Sequence, residues 1–107
     1  MRGEIGRSLR LPLRRFVVAD RSMEPTLVHG QGLLATPYGR PQAGQIRCFE
    51  HPDRPRFWLV KRVGQVHADS TMSVTSDNPL GTDSSDFGPV PTVGSYRVLV
   101  AVPRRFM

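Results

Sequence analysis

Apolar positions along the chain fall in short runs or in strict alternation, and long helical periodicity is missing. FVVA at 16–19, GLLA at 32–35 after HGQ, QIRCFE at 45–50 after the PQAG turn, RFWLVKRVGQV at 56–66, TMSVTS at 71–76 and SYRVLVAV at 95–102 each read as a strand bounded by turn residues. Between the last two lies DNPLGTDSSDFGPVPTVG at 77–94, which reads as one long loop rich in Gly and Pro. The pattern predicts a mostly β fold with little helix: a compact coiled β-sheet or partly closed barrel of mixed or antiparallel strands.

Alternation along the longest strand places Phe57, Leu59, Lys61 and Val63 on one face and Trp58, Val60 and Arg62 on the other. Lys61 therefore shares a face with apolar side chains, where desolvation disfavours an ammonium. At 107 residues the chain is sized for one domain. Residues 16–107 are expected to form it, with residues 1–15, which hold five arginines, as a loosely ordered basic N-terminal arm.

The apolar runs are far shorter than the roughly 20 residues of a membrane helix. No apolar h-region follows the N-terminal arginines, so the expectation is a cytoplasmic protein without an integral membrane anchor. A formal net charge of +6 brings nucleic acid or an anionic membrane face into view as partners. Against nucleic acid, the basic residues are scattered and the aromatics do not alternate with them as base-stacking platforms do.

Fourteen of the fifteen basic residues are arginine, and Lys61 is the only lysine. Arginine stays protonated in proteins, whereas a buried lysine gives up its proton readily and can serve as a base near neutral pH. A base needs a nucleophile, and DRSMEPTL at 20–27 offers one: Ser22 follows a strand, and Pro25 keeps the chain from continuing as a ladder, so the hydroxyl is presented at a turn. A serine and a lysine on adjacent strands can meet at hydrogen-bond distance as a Ser/Lys nucleophile and base. Singly, each feature has a plainer reading. Ser22 can cap a short helical start, and Asp77 and Asp83 suit Asx turns. His29, His51 and His67 are too dispersed for a metal site. Cys48, the lone cysteine, reads as a small buried hydrophobe.

Taken together and in order, SMEPTL, KRV and DNP…DS…FGPVP resemble the boxes of the signal peptidase I family of serine endopeptidases, from about Val17 to Val102. Within it the chain is most similar to the nickel-type superoxide dismutase maturation proteases, a soluble bacterial branch thought to remove the N-terminal extension of the dismutase precursor. The resemblance implies a coiled β-sheet domain of the signal peptidase type, and a precursor protein as substrate. It makes Ser22 the nucleophile and Lys61 the general base, with the Ser22 amide donating to the oxyanion of the tetrahedral intermediate. It places Val18, Met23, Leu27, Leu59 and Val60 in a pocket for small side chains, and Asp77, Asn78, Asp83 and Ser84 as residues that brace the site. Ser/Lys chemistry needs no cofactor or metal.

The chain departs from the family pattern at several points. Asp20 stands where a serine or glycine usually assists the oxyanion hole, and an ionised carboxylate there repels a developing oxyanion. Gln31 and Gln45 replace turn aspartates, Ser76 replaces the glycine of GDN, and Ser85 stands where membrane-bound members carry arginine. The last loop is one residue short, so Thr82 or Gly81 takes the place of a hydroxyl that orients the lysine. Two other readings stay open: a non-catalytic β module binding protein or nucleic acid, disabled by Asp20, and a signal peptidase acting on secretory precursors.

Overall fold

The computed structural model describes residues 12–81 and 87–103. Its seven strands are β1 (Arg14–Val17), β2 (Gly32–Thr36), β3 (Ile46–Glu50), β4 (Trp58–Val66), β5 (Thr71–Thr75), β6 (Val90–Pro91) and β7 (Tyr96–Ala101). They form one antiparallel sheet in the order β1-β2-β7-β3-β4-β5-β6, with essentially no helix among the described residues. The mostly β expectation holds. The sheet does not close into a barrel, because β1 and β6 remain its two ends. No helix among the described residues is long and apolar enough to cross a membrane.

The sheet buries side chains on both faces, as the two-residue period of its strands requires. Val18, Met23, Leu27, Leu33 and Cys48 make one cluster, flanked by Phe16, Trp58, Val60 and Tyr96. Phe49, Val63, Met72, Val74 and Val90 make the other, flanked by Leu59 and Phe87. Strand β4 feeds both, with Trp58 and Val60 on one side and Leu59 and Val63 on the other, which matches the expected alternation. Phe57 is the exception. It precedes the strand, stays 45 % exposed and packs against His51. Each fully buried large apolar side chain contributes about 1.5–3 kcal/mol, so neither face is dispensable.

Curling of the sheet brings its first strand toward its fifth in the order. The ring of Phe16 on β1 lies 5.3 Å from Trp58 on β4 and 5.7 Å from Tyr96 on β7. The Arg14 guanidinium sits 4.4 Å from the Trp58 centroid and 4.9 Å from that of Phe16. Such a cation over aromatic faces is favourable by about 0.5–1 kcal/mol near a surface. Arg14 and Arg15, assigned from sequence to the arm, are strand residues paired with Ala35 and Leu34; residues 1–11 lie outside the described ones. Register shifts at Leu34/Ala35 and Val63/Gln65 add the local bend that bulges supply. Strand β6 is a correction to the sequence reading. Val90–Pro91 pairs with Thr71 and Met72 inside what looked like a continuous loop.

Candidate active site

Ser22 lies in the turn after β1, held down by its apolar neighbours. Past Val17 the chain leaves the ladder, yet Val18 donates to the Gln31 carbonyl at 2.9 Å and accepts from the Gly30 amide at 2.7 Å. Gly30 takes φ +88°, a conformation that favours glycine. Val18, Met23 and Leu27 are buried in the first cluster and clamp the turn on both sides of Ser22. Ser22 is 7 % exposed, and its Oγ is buried with no hydrogen-bond partner among the described residues. An unsatisfied buried hydroxyl costs about 1–3 kcal/mol and calls for an explanation. The Ser22 amide donates to Asp20 Oδ1 at 2.9 Å.

Lys61, on β4, is 1 % exposed, and its Nζ donates to Ser76 Oγ at 3.0 Å. Ser76 directly follows β5, where alternation from Met72 and Val74 carries it onto the face that Lys61 shares. Gly81 joins the two halves of the site. A Cβ built on it would stand 2.7 Å from Ser22 Cβ and 2.6 Å from Ser76 Oγ, so the space between the two serines is filled by glycine backbone. The direct Ser22–Lys61 hydrogen bond expected from sequence is not formed: Lys61 Nζ is bonded to Ser76, and the Ser22 hydroxyl is bonded to neither. Lys61, Ser76, Gly81 and Ser22 nevertheless make a continuous line of contacts from one face of the sheet to the turn packed on the other.

The loop after β5 is tied to the serine turn. The Asn78 amide donates to the Ser22 carbonyl at 2.8 Å, and Asn78 Nδ2 donates to the Arg21 carbonyl at 2.9 Å. Asp77 accepts from Arg62 through both oxygens, at 2.9 and 2.7 Å, and from Thr26 Oγ1 at 2.6 Å. The Arg62 hydrogen bonds, with a smaller share from Thr26, hold the Asp77 carboxyl below the usual carboxylate range, while Asp77 raises Arg62. Asp77 and Asn78 thus link β4, the serine turn and the 77–81 segment. Thr82, Asp83 and Ser84, also named from sequence, lie outside the described residues.

Two clefts flank this arrangement. One of about 410 Å³ is lined by Asp20, Arg21, Ser22, Asn78, Leu80 and Gly81. The other, about 210 Å³, runs between β1 and β4 and is lined by Phe16, Val17, Ala19, Asp20, Leu33, Cys48 and Phe57–Val60. Of the pocket residues expected from sequence, Leu59 and Val60 line it. Val18, Met23 and Leu27 are instead buried beneath the turn as its support. Both strands offer backbone here: β1 pairs only with β2, and the Trp58–Val60 segment has no strand on the side away from β3 among the described residues.

Sequence reasoning offered Gly81 or Thr82, which lies outside the described residues, and missed Ser76 as a hydroxyl on the lysine. The same alternation that placed Lys61, continued along TMSVTS, was the signal for it. Gln31 and Gln45 close their turns with side-chain amides, accepting from the Val28 and Gln42 amides respectively, both at 3.1 Å. Burial pushes the Cys48 thiol up to about 12, so it is no thiolate nucleophile. Among the described residues no three His, Cys, Asp or Glu side chains are grouped to hold a metal ion. Compared with protein-family models, curated proteins and solved structures, the chain finds no match.

Proposed function

We propose that the chain is a serine endopeptidase with a Ser/Lys dyad that makes one cut in a precursor protein. The observation that carries this reading is the buried, unpartnered Ser22 hydroxyl at a cleft, one glycine away from a serine hydroxyl that holds a buried lysine amine. In the reaction Ser22 Oγ attacks the scissile carbonyl carbon while its proton passes to neutral Lys61 Nζ, directly or by way of Ser76. The resulting oxyanion takes the Ser22 amide as a donor. Collapse breaks the C–N bond, and the amine leaves with the proton from Lys61. Water then attacks the acyl-enzyme, giving its proton to Lys61, and the serine is regenerated.

The groove between β1 and β4 suits an extended segment added alongside exposed backbone, with small side chains entering the apolar cleft. On the sequence resemblance, the substrate is the N-terminal extension of a nickel-type superoxide dismutase precursor, met in the cytoplasm. Incubation of the purified protein with that precursor, followed by sequencing of the new N-terminus, tests the assignment. One defined cut after a small residue is expected, and an intact precursor after prolonged incubation counts against it. The Asp20–Ser22 hydrogen bond favours a second reading, a non-catalytic β module whose oxyanion donor is blocked.

A further inference from the structure

Strands β3 and β4 run antiparallel with Arg47 paired directly across from Lys61. The side chains of such a pair leave the sheet on the same face with Cβ atoms about 5 Å apart, and both residues are 1 % exposed. The guanidinium turns toward Ser95 beside β7 and the ammonium toward Ser76 after β5. With little water to screen them, two buried charges of one sign on neighbouring strands still disfavour each other. Arginine does not resolve the conflict by losing its proton.

Its surroundings fix the charge in place without cancelling it. Arg47 Nε donates to Ser95 Oγ at 2.9 Å, Nη2 to the Ser95 carbonyl at 3.3 Å, and Nη1 to Gln45 Oε1 at 3.0 Å. All three acceptors are neutral, and among the described residues no carboxylate pairs with this guanidinium. Burial, and then Arg97 across from it on β7, lower Arg47, but from a value so high that it remains charged.

Among the described residues, the other elements around Lys61 present mostly neutral groups. On its face β5 presents Met72, Val74 and, just past its end, the Ser76 hydroxyl. Arg62 faces the other way and is paired with Asp77. Asp20 is bonded to the Ser22 amide. Asp83 and Asp86 lie outside the described residues.

We propose that Arg47 is a positioning residue for Lys61, a buried fixed cation across the ladder that disfavours the ammonium form and keeps the amine ready to accept a proton. The purpose rests on Lys61 being the general base, but the electrostatic claim stands apart from it.

Because Lys61 is the only lysine, protein made with lysine labelled at 13Cε and 15Nζ gives a single side-chain signal, and its pH titration reads this amine alone. The wild type is expected to titrate below the ordinary lysine value of about 10.4. Arg47→Met and Arg47→Gln should each raise the midpoint by about one pH unit, the scale on which a neighbouring charge acts. The methionine variant leaves the site at least as dry, so a rise there reports lost charge rather than gained water. If it loses the folded amide spectrum, the glutamine variant, which keeps a donor for the Ser95 carbonyl, carries the test. A midpoint unchanged from the wild type overturns the inference. That outcome leaves the peptidase reading standing, since precursor cleavage by the wild type against Ser22→Ala decides it separately.

Discussion

The Asp20 carboxylate accepts the hydrogen bond of the Ser22 amide at 2.9 Å, the N–H that an oxyanion would need. In the proposed reaction, acylation would require that carboxylate to move aside, and its charge would oppose the transition state while it remained near. Asp20→Gly or Asp20→Ser should raise the rate of precursor cleavage, roughly tenfold or more if one oxyanion donor is freed. Single-turnover kinetics measures this. A fall in rate would show that Asp20 orients the substrate or orders the serine turn.

Among the described residues, Ser76 offers its hydroxyl to Lys61. Ser76→Ala removes one hydrogen-bond acceptor from a buried amine, a change of about 0.5–1.5 kcal/mol. Cleavage should fall more than stability does, with kcat reduced and KM little changed, because the contact is made to the proposed general base. Equal losses in kcat and in melting temperature would assign Ser76 a structural part only.

Gly81 separates the two serines with no room for a side chain. The atoms that a methyl group at this position would meet first belong to Ser22 and Ser76, so Gly81→Ala must push one of them off its place. Overpacking of this kind costs about 1–3 kcal/mol. Thermal melts should show that loss, together with a greater loss of cleavage than at Gly39, where a Cβ meets nothing within 4 Å and only the positive φ of +93° strains a side chain.

Asp77 gives the fold an acid-sensitive joint. Its pKa is lowered in the folded state, chiefly by Arg62, so its stabilisation is complete above the unfolded aspartate value of about 3.9 and is lost as pH falls through the lower folded value. Asp77→Asn should destabilise the protein by about 1 kcal/mol at neutral pH, a figure discounted for the partly exposed Arg62. Denaturant titrations should show the difference between the two proteins shrinking below about pH 4. A constant difference down to about pH 2 would contradict the assigned pairing.

Most of the sheet was legible because period-two alternation is a local property. QIRCFE, RFWLVKRVGQV and TMSVTS announced β3, β4 and β5 to within a residue or two. Val90–Pro91 was not legible, since a two-residue strand containing proline carries no alternation and exists only through its pairing with β5. At the site, Lys61 stood out by being the only lysine, and the Ser22 turn by its proline. Val18, Met23 and Leu27 were misplaced as pocket lining because sequence tells that a side chain is apolar, not whether it faces a cleft or the core below. The burial of Arg47 was equally hidden. Little in the local sequence distinguishes an arginine that donates hydrogen bonds to Ser95, 48 positions away, from one on the surface.

Replacement of Lys61 by arginine tests the central claim most directly. Arg keeps the positive charge and much of the stem but cannot give up its proton at any accessible pH. Lys61→Met is the companion, since a neutral thioether suits a site beside Leu59 and Val63 and separates folding from chemistry. Precursor cleavage is measured for both beside Ser22→Ala, with a thermal melt for each. The account predicts folded proteins whose cleavage is reduced at least about 10²–10⁴-fold, the usual effect of removing a general base. Cleavage by Lys61→Arg at the wild-type rate would contradict it.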